Sequence, residues 1–211
     1  MNIMNIMNIF YPNIVGIFYY YLNKELNKYQ EEKIADNSTS LFHASSTIII
    51  AYYSLYLNVD SYFIFINTSG YLLYDIYYII KINKFDILQI MYIYHHIVLL
   101  SYIILPYELH YWRETLLFAE LSNIPNKLVY YSLKNDKKKG IKRSKITNIL
   151  LKFQLFVYFI LRIFFLGYYG IKELYNDKVE YIKLPIYMVS ILYIFGVIWF
   201  VAILKKNIKK Y

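Results

Sequence analysis

Apolar blocks, each about as long as a bilayer is thick, recur along this chain and are separated by short joints that hold most of its charge. A helix crossing the hydrocarbon core needs roughly 20 consecutive, mostly apolar residues. Seven blocks meet that length, at about 3–22, 41–57, 61–83, 87–105, 112–131, 147–171 and 183–204. The joints read NKELNKYQEEKIADNSTS, KINKFD, PYELHYW, SLKNDKKKGIKRSK and KELYNDKVEYIK. This spacing predicts an all-α chain, a multi-pass transmembrane helical bundle of about seven spans. The first block has no Lys or Arg before Lys24 and no small-residue cleavage site after it, so it reads as a retained anchor.

Composition narrows the functions open to such a chain. Apolar residues make up 59% and charged residues 18%, against a charged share of about 25% in soluble domains. With no cysteine, disulfides, thiolate catalysis and cysteine metal sites are excluded. The chain is rich in Ile, Asn, Lys and Tyr and opens by repeating MNI three times, so its 28 tyrosines are not in themselves a functional signal. The net charge of +9 does not indicate a nucleic-acid partner. Its lysines gather at the ends of apolar blocks, as in cytoplasmic membrane loops.

The lysines also set an orientation. With the N-terminus outside, the inner segments 23–40, 81–86, 132–146 and the tail after 204 hold 16 Lys and Arg. The outer segments hold 4: Arg113, Lys172, Lys178 and Lys183. That asymmetry predicts an N-terminus outside and a C-terminus inside. It also favours full crossing by WRETLLFAELSNIPNKLVYY, the least apolar block, because otherwise the basic inner segments would face opposite sides. The sequons Asn37-Ser38-Thr39 and Asn67-Thr68-Ser69 then fall in the cytoplasm and within a span, and neither is expected to carry glycan.

Ionisable side chains at bilayer depth are costly and often mark function. Here they fall in helical stripes. The third block aligns Asn67, Tyr71, Tyr74, Asp75 and Tyr78. The fourth aligns Gln89, Tyr92 and His96, with His95 alongside. The fifth aligns Arg113, Glu120, Asn123 and Lys127, and the sixth Gln154, Tyr158 and Arg162. Asp75, His95, His96, Glu120 and Arg162 each lie near the middle of a block, so at 1.5 Å per residue all fit within ~5 Å of the midplane. The plainer reading makes them interhelical hydrogen bonds worth around 1 kcal/mol each, with Asp75 and Arg162, or Glu120 and His96, as internal pairs.

Adjacent histidines point about 100° apart on a helix and do not readily grip one ion, and no HxxxH box is present. No metal site is therefore expected; His43 and His110 are distant and nearer the membrane surfaces. Division of labour suits the pair better, with one ring as nucleophile or base and the other bonded to a neighbouring helix. Pro125, in SNIPN, cannot donate a backbone hydrogen bond and frees the Leu121 carbonyl beside Glu120 and Asn123.

Taken in order, LFHASSTIII, SGYLLYDIYYII, YHHIVLLSY, LLFAELSNIPNKL, FILRIFF and IWFVAILKK resemble the TLC-domain proteins, the family of the ceramide synthases and their non-synthase relatives. The resemblance covers residues 40–206, preceded by an N-terminal span and cytoplasmic linker at 1–39 and followed by a basic tail at 207–211. It implies a six-span core around a lipid-accessible cavity in the endoplasmic reticulum or another endomembrane, with the N-terminus lumenal and the C-terminus cytoplasmic. The family's paired histidines match His95 and His96, and its preceding aspartate matches Asp75. In acyl-transferring members that cavity joins a fatty acyl group from coenzyme A to a long-chain base at the histidine pair. Where ceramide synthases carry a further histidine–aspartate and aspartate cluster, this chain has FAELSNIPN, which looks like the non-synthase, lipid-regulating branch.

The leading expectation is therefore a protein that binds or regulates membrane sphingolipids or phospholipids, with Glu120, Asn123, Arg162, Tyr92 and Tyr71 as lipid-binding candidates. The alternative is an acyl-CoA-dependent N-acyltransferase in which His95 or His96 is nucleophile or base and Asp75 orients it. No cofactor is expected; acyl-CoA enters that second reading as substrate. A third reading, a proton-coupled carrier with Asp75, His96 and Glu120 as relay, calls for inverted repeats that the sequence does not display. Membrane lipids are the expected partners, with a second copy of the chain as a candidate.

Overall fold

The structure, a computed structural model, describes residues 3–82, 87–104, 111–175 and 183–208. His110, the joint residues 83–86, 105–110 and 176–182, and the end of the basic tail lie outside the described residues. All the regular structure among the described residues is helical. The order is α1 (Ile3–Leu26), α2 (Glu32–Tyr56), α3 (Tyr62–Ile82), α4 (Ile87–Ile104), α5 (Trp112–Lys138), α6 (Lys145–Tyr158), a π-helical segment (Phe159–Phe165), α7 (Leu166–Leu174) and α8 (Lys183–Ile208). Helices thus form at every predicted block, with α6, the π segment and α7 following one another in the sixth. Among the described residues three helices are long and apolar enough to cross a membrane: Tyr62–Ile82, Lys145–Lys172 and Ser190–Ile208.

Two helices, α2 and α5, outrun their blocks the furthest. α2 starts at Glu32, not at 41, because its polar first turns carry a packing face: Ala35 and Thr39 are fully buried, and Asn23 of α1 donates to Thr39 at 3.4 Å. α5 continues to Lys138 instead of stopping near 131. Its last turn holds Lys137 and Lys138, whose charge suits a helix C-terminus. Gly140, at φ 68°, then ends it in the left-handed conformation that glycine adopts without penalty. Ser144 caps α6, its hydroxyl accepting the Thr147 N–H at 3.2 Å.

The chain divides into two compact units, Met1–Glu108 and Leu109–Tyr211. In the first, α3 packs against α1, α2 and α4. The α1–α3 crossing is close because both helices present glycine. A Cβ on Gly70 would stand 2.6 Å from Val15 Cβ and 2.8 Å from the Pro12 carbonyl oxygen, and one on Gly16 would stand 3.1 Å from the Gly70 carbonyl oxygen. Small residues of this kind let membrane helices approach backbone to backbone. In the second unit α5 packs along α6 and the π segment, and α8 lies against α6, the π segment and α7.

Beside a buried apolar core, several polar side chains are buried and many large apolar ones are exposed. Buried residues include His43, Asn23, Glu120, Gln154 and Arg162, whereas Ile17, Phe18, Ile149, Phe156 and Phe164 are exposed. Soluble proteins rarely bury charged groups and rarely expose long apolar faces.

Candidate functional site

Two polar centres form, one in each unit. In the first unit, Asp75 on α3 meets His96 on α4, with Oδ2 and Nδ1 3.1 Å apart. The two atoms stand at ion-pair distance. Both side chains are largely buried, at 14% and 10% exposure. His95 is buried beside it, its ring centre 5.5 Å from that of His96 and its plane turned by 51°. Tyr92, one turn before His96, keeps its ring 6.4 Å away on an exposed face of α4. A carboxylate 3.1 Å from Nδ1 is placed to stabilise a protonated imidazole.

Tyr71, one turn before Asp75, points into a neighbouring node. Its ring stacks on His43 of α2 at 3.9 Å and 6° and meets Tyr19 of α1 edge-on at 5.3 Å. Tyr19 is fully buried and donates to Asn67 Oδ1 at 2.7 Å. Asn67 in turn donates to Thr47 at 2.8 Å and Ser46 at 3.0 Å. Thr47 Oγ1 and Tyr19 Oη lie 3.4 and 3.5 Å from His43 Nδ1. His43 is thus a buried junction of three helices, which the sequence reading did not find. The clue was the recurrence of Ala35, Thr39, His43, Thr47 and Ala51 at every fourth position, a small and polar stripe on one helix face.

In the second unit Arg162 is the hub. Its Nε donates to Ser122 Oγ at 2.8 Å, and one terminal nitrogen reaches the Ala119 carbonyl at 3.2 Å and Asn123 Oδ1 at 3.4 Å. Asn123 passes the contact on, donating from Nδ2 to Glu120 Oε2 at 2.9 Å. Asn123 therefore stands between a buried carboxylate and a buried guanidinium, both under one-tenth exposed. The π segment aims the arginine. In an α-helix each step of four residues overshoots a full turn by about 40°. The wider π turn after Tyr158 reverses that drift and returns Arg162 to the face that bears Gln154 and Tyr158.

Further links continue along the α5–α6 pair. Gln154 donates to Asn126 Oδ1 at 2.7 Å, the Ser132 and Thr147 hydroxyls lie 2.6 Å apart, and Asp136 takes the Ser144 N–H at 2.8 Å. Pro125 is buried in α5 between these links and the arginine site. Among the described residues no three His, Asp or Glu side chains group as metal ligands do.

Of the sequence-predicted residues, Asp75, His95 and His96 come together in the first unit, and Glu120, Asn123 and Arg162 in the second. Tyr71 joins the His43 node, and Tyr92 lies outward beside His96. No protein-family model matches the chain, and neither the curated proteins nor the solved structures yield a match.

Proposed function

We propose that this chain is a multi-pass membrane protein of about seven spans, similar to the non-synthase TLC-domain proteins, that binds or regulates membrane lipids. The N-terminus is lumenal, the C-terminus is cytoplasmic, and the membrane is the endoplasmic reticulum or another endomembrane. One observation carries the reading. Glu120, Arg162, Asn23 and Gln154 are buried, while many large apolar side chains are exposed along the helices. That sorting suits a hydrocarbon solvent, in which polar groups turn inward to find partners. Three helices of membrane-spanning length and apolarity support it. Glu120, Asn123 and Arg162 then offer a hydrogen-bonding set at depth for a headgroup or an acyl carboxyl, the kind of sparse polar group that orients a ligand in an apolar site.

Native mass spectrometry of the detergent-purified protein tests this. Retained sphingolipid or phospholipid, reduced in Asn123→Ala, supports lipid binding. A lipid-free spectrum across several mild detergents contradicts it.

The Asp75–His96 contact favours a second reading, acyl transfer from acyl-CoA to a long-chain base. His96 would take the proton of the acceptor amine as it attacks the thioester, with Asp75 stabilising the imidazolium and coenzyme A leaving as thiol. Turnover of acyl-CoA with long-chain bases, lost in His96→Ala, would establish it. No turnover over a broad acceptor panel would leave lipid binding alone.

A further inference from the structure

The turn between α5 and α6 is closed by its own hydrogen bonds. Ile141 N–H donates to the Asp136 carbonyl at 2.9 Å and Gly140 N–H to the Lys137 carbonyl at 3.1 Å, the paired bonds of a Schellman ending. The Asp136 carboxylate holds the other side, taking the Ser144 N–H at 2.8 Å and the Thr147 hydroxyl at 2.5 Å. Arg143 donates to the Lys206 carbonyl at 3.3 Å, which ties the turn to the end of α8.

What this geometry fixes in place is charge. Residues 132–146 contain 7 Lys and Arg and a single acid, Asp136. That acid is buried and spent on Ser144 and Thr147. Lys137, Lys138, Lys139 and Lys142 are exposed around it, and Lys205 and Lys206 are exposed on α8. Enforcing topology needs only positive charge on the correct side, and a slack loop would supply it with less mutual repulsion. A turn that holds like charges together against that repulsion suits an anion bearing several charges close together.

Two observations identify the anion as a lipid headgroup. Ile141 and Ile146 are exposed among the cations, at 45% and 67%, a mixture that fits a membrane interface. α5 also carries the turn the right distance. With the fifth span ending at residue 131, as the sequence predicts, Lys138 lies about 10 Å beyond it at 1.5 Å per residue. A headgroup layer adds roughly 5–8 Å on each side of the hydrocarbon. The lysines therefore stand at the outer edge of the headgroups, where extra phosphates on a large headgroup project.

We propose that the 137–143 turn and the adjoining end of α8 form a binding surface for a lipid headgroup bearing several phosphate charges. The leaflet assignment rests on the membrane reading above; the binding measurement does not.

The test titrates short-chain phosphatidylinositol bisphosphate, short-chain phosphatidylserine and inorganic phosphate onto the full chain in a zwitterionic detergent. The bisphosphate lipid should bind at least tenfold more tightly than phosphatidylserine, and the triple variant Lys139→Gln, Lys142→Gln, Arg143→Gln should lose at least tenfold of that. Asp136→Ala separates order from charge. It makes the chain more positive, so diffuse attraction predicts tighter binding, whereas a fixed turn predicts severalfold weaker binding. Gly140→Val disturbs the same turn at unchanged charge and should also weaken binding, which keeps the test decisive if Asp136→Ala fails to fold. Equal affinity for the two lipids, inorganic phosphate binding as tightly as the bisphosphate lipid, or undiminished binding in a folded turn variant overturns the proposal.

Discussion

His96 Nδ1 stands 3.1 Å from Asp75 Oδ2 and joins α4 to α3 within the first unit. Groups in contact are not independent, and pairs of this kind couple by 0.5–3 kcal/mol in double-mutant cycles, as a rough range. Asp75→Asn and His96→Gln should each lower the thermal stability of the purified protein. Together they should cost about 1 kcal/mol less than the sum of the two. Strict additivity in detergent melts would show that the contact does not form.

Gly70 sets how closely α1 approaches α3. Gly70→Ala drives a Cβ into Val15 and the Pro12 carbonyl, so a loss of roughly 1–3 kcal/mol is expected. Gly196 provides the control, because nothing lies within 4 Å of a Cβ there. Gly196→Ala should be neutral or gain up to about 1 kcal/mol from helix propensity. Unfolding midpoints of the two variants that coincide would contradict the close crossing.

Arg162 reaches Ser122 Oγ, the Ala119 carbonyl and Asn123 Oδ1 from one planar head. Lysine lacks that fork, so Arg162→Lys should not restore what Arg162→Leu removes. Arg162→Leu removes the guanidinium from a buried network that Asn123 extends to Glu120 and should cost about 3–5 kcal/mol. Adding Glu120→Gln should recover most of that loss, and a double variant as unstable as Arg162→Leu alone would argue against a shared network.

Much of this fold was legible in the sequence. Seven apolar blocks gave the helix positions, since length and apolarity act locally. The stripes bearing Asp75, His96, Glu120 and Arg162 were legible for the same reason: helical periodicity fixes a residue's face. Which helix that face meets was not. The meeting of Asp75 with His96, and of Arg162 with Ser122 and Asn123, depends on tertiary packing. The π segment carries no signal in FILRIFF, and α2's early start was masked because Glu32 to Ser40 pack through small and polar residues.

Asp136 makes the α5–α6 turn sensitive to acid. The Ser144 backbone N–H, then the Thr147 hydroxyl, hold its carboxyl below the ordinary aspartate range. A lowered folded-state pKa adds stability above the unfolded value of about 3.9 and loses it as pH falls through the folded value. Wild type should therefore exceed Asp136→Asn in stability at neutral pH and converge with it only below about pH 4. Melting curves in which the gap closes between pH 7 and 5 would assign the effect to another group.

In the proposed topology these helices cross a bilayer with their basic joints on one side. With no native cysteine, single substitutions can be labelled by an impermeant maleimide in sealed, oriented vesicles. Gln30→Cys and Lys139→Cys should react only from the cytoplasmic side, and Asn58→Cys and Tyr175→Cys only from the opposite side. Four sites reacting from one side, or any of them exchanged, would contradict that topology.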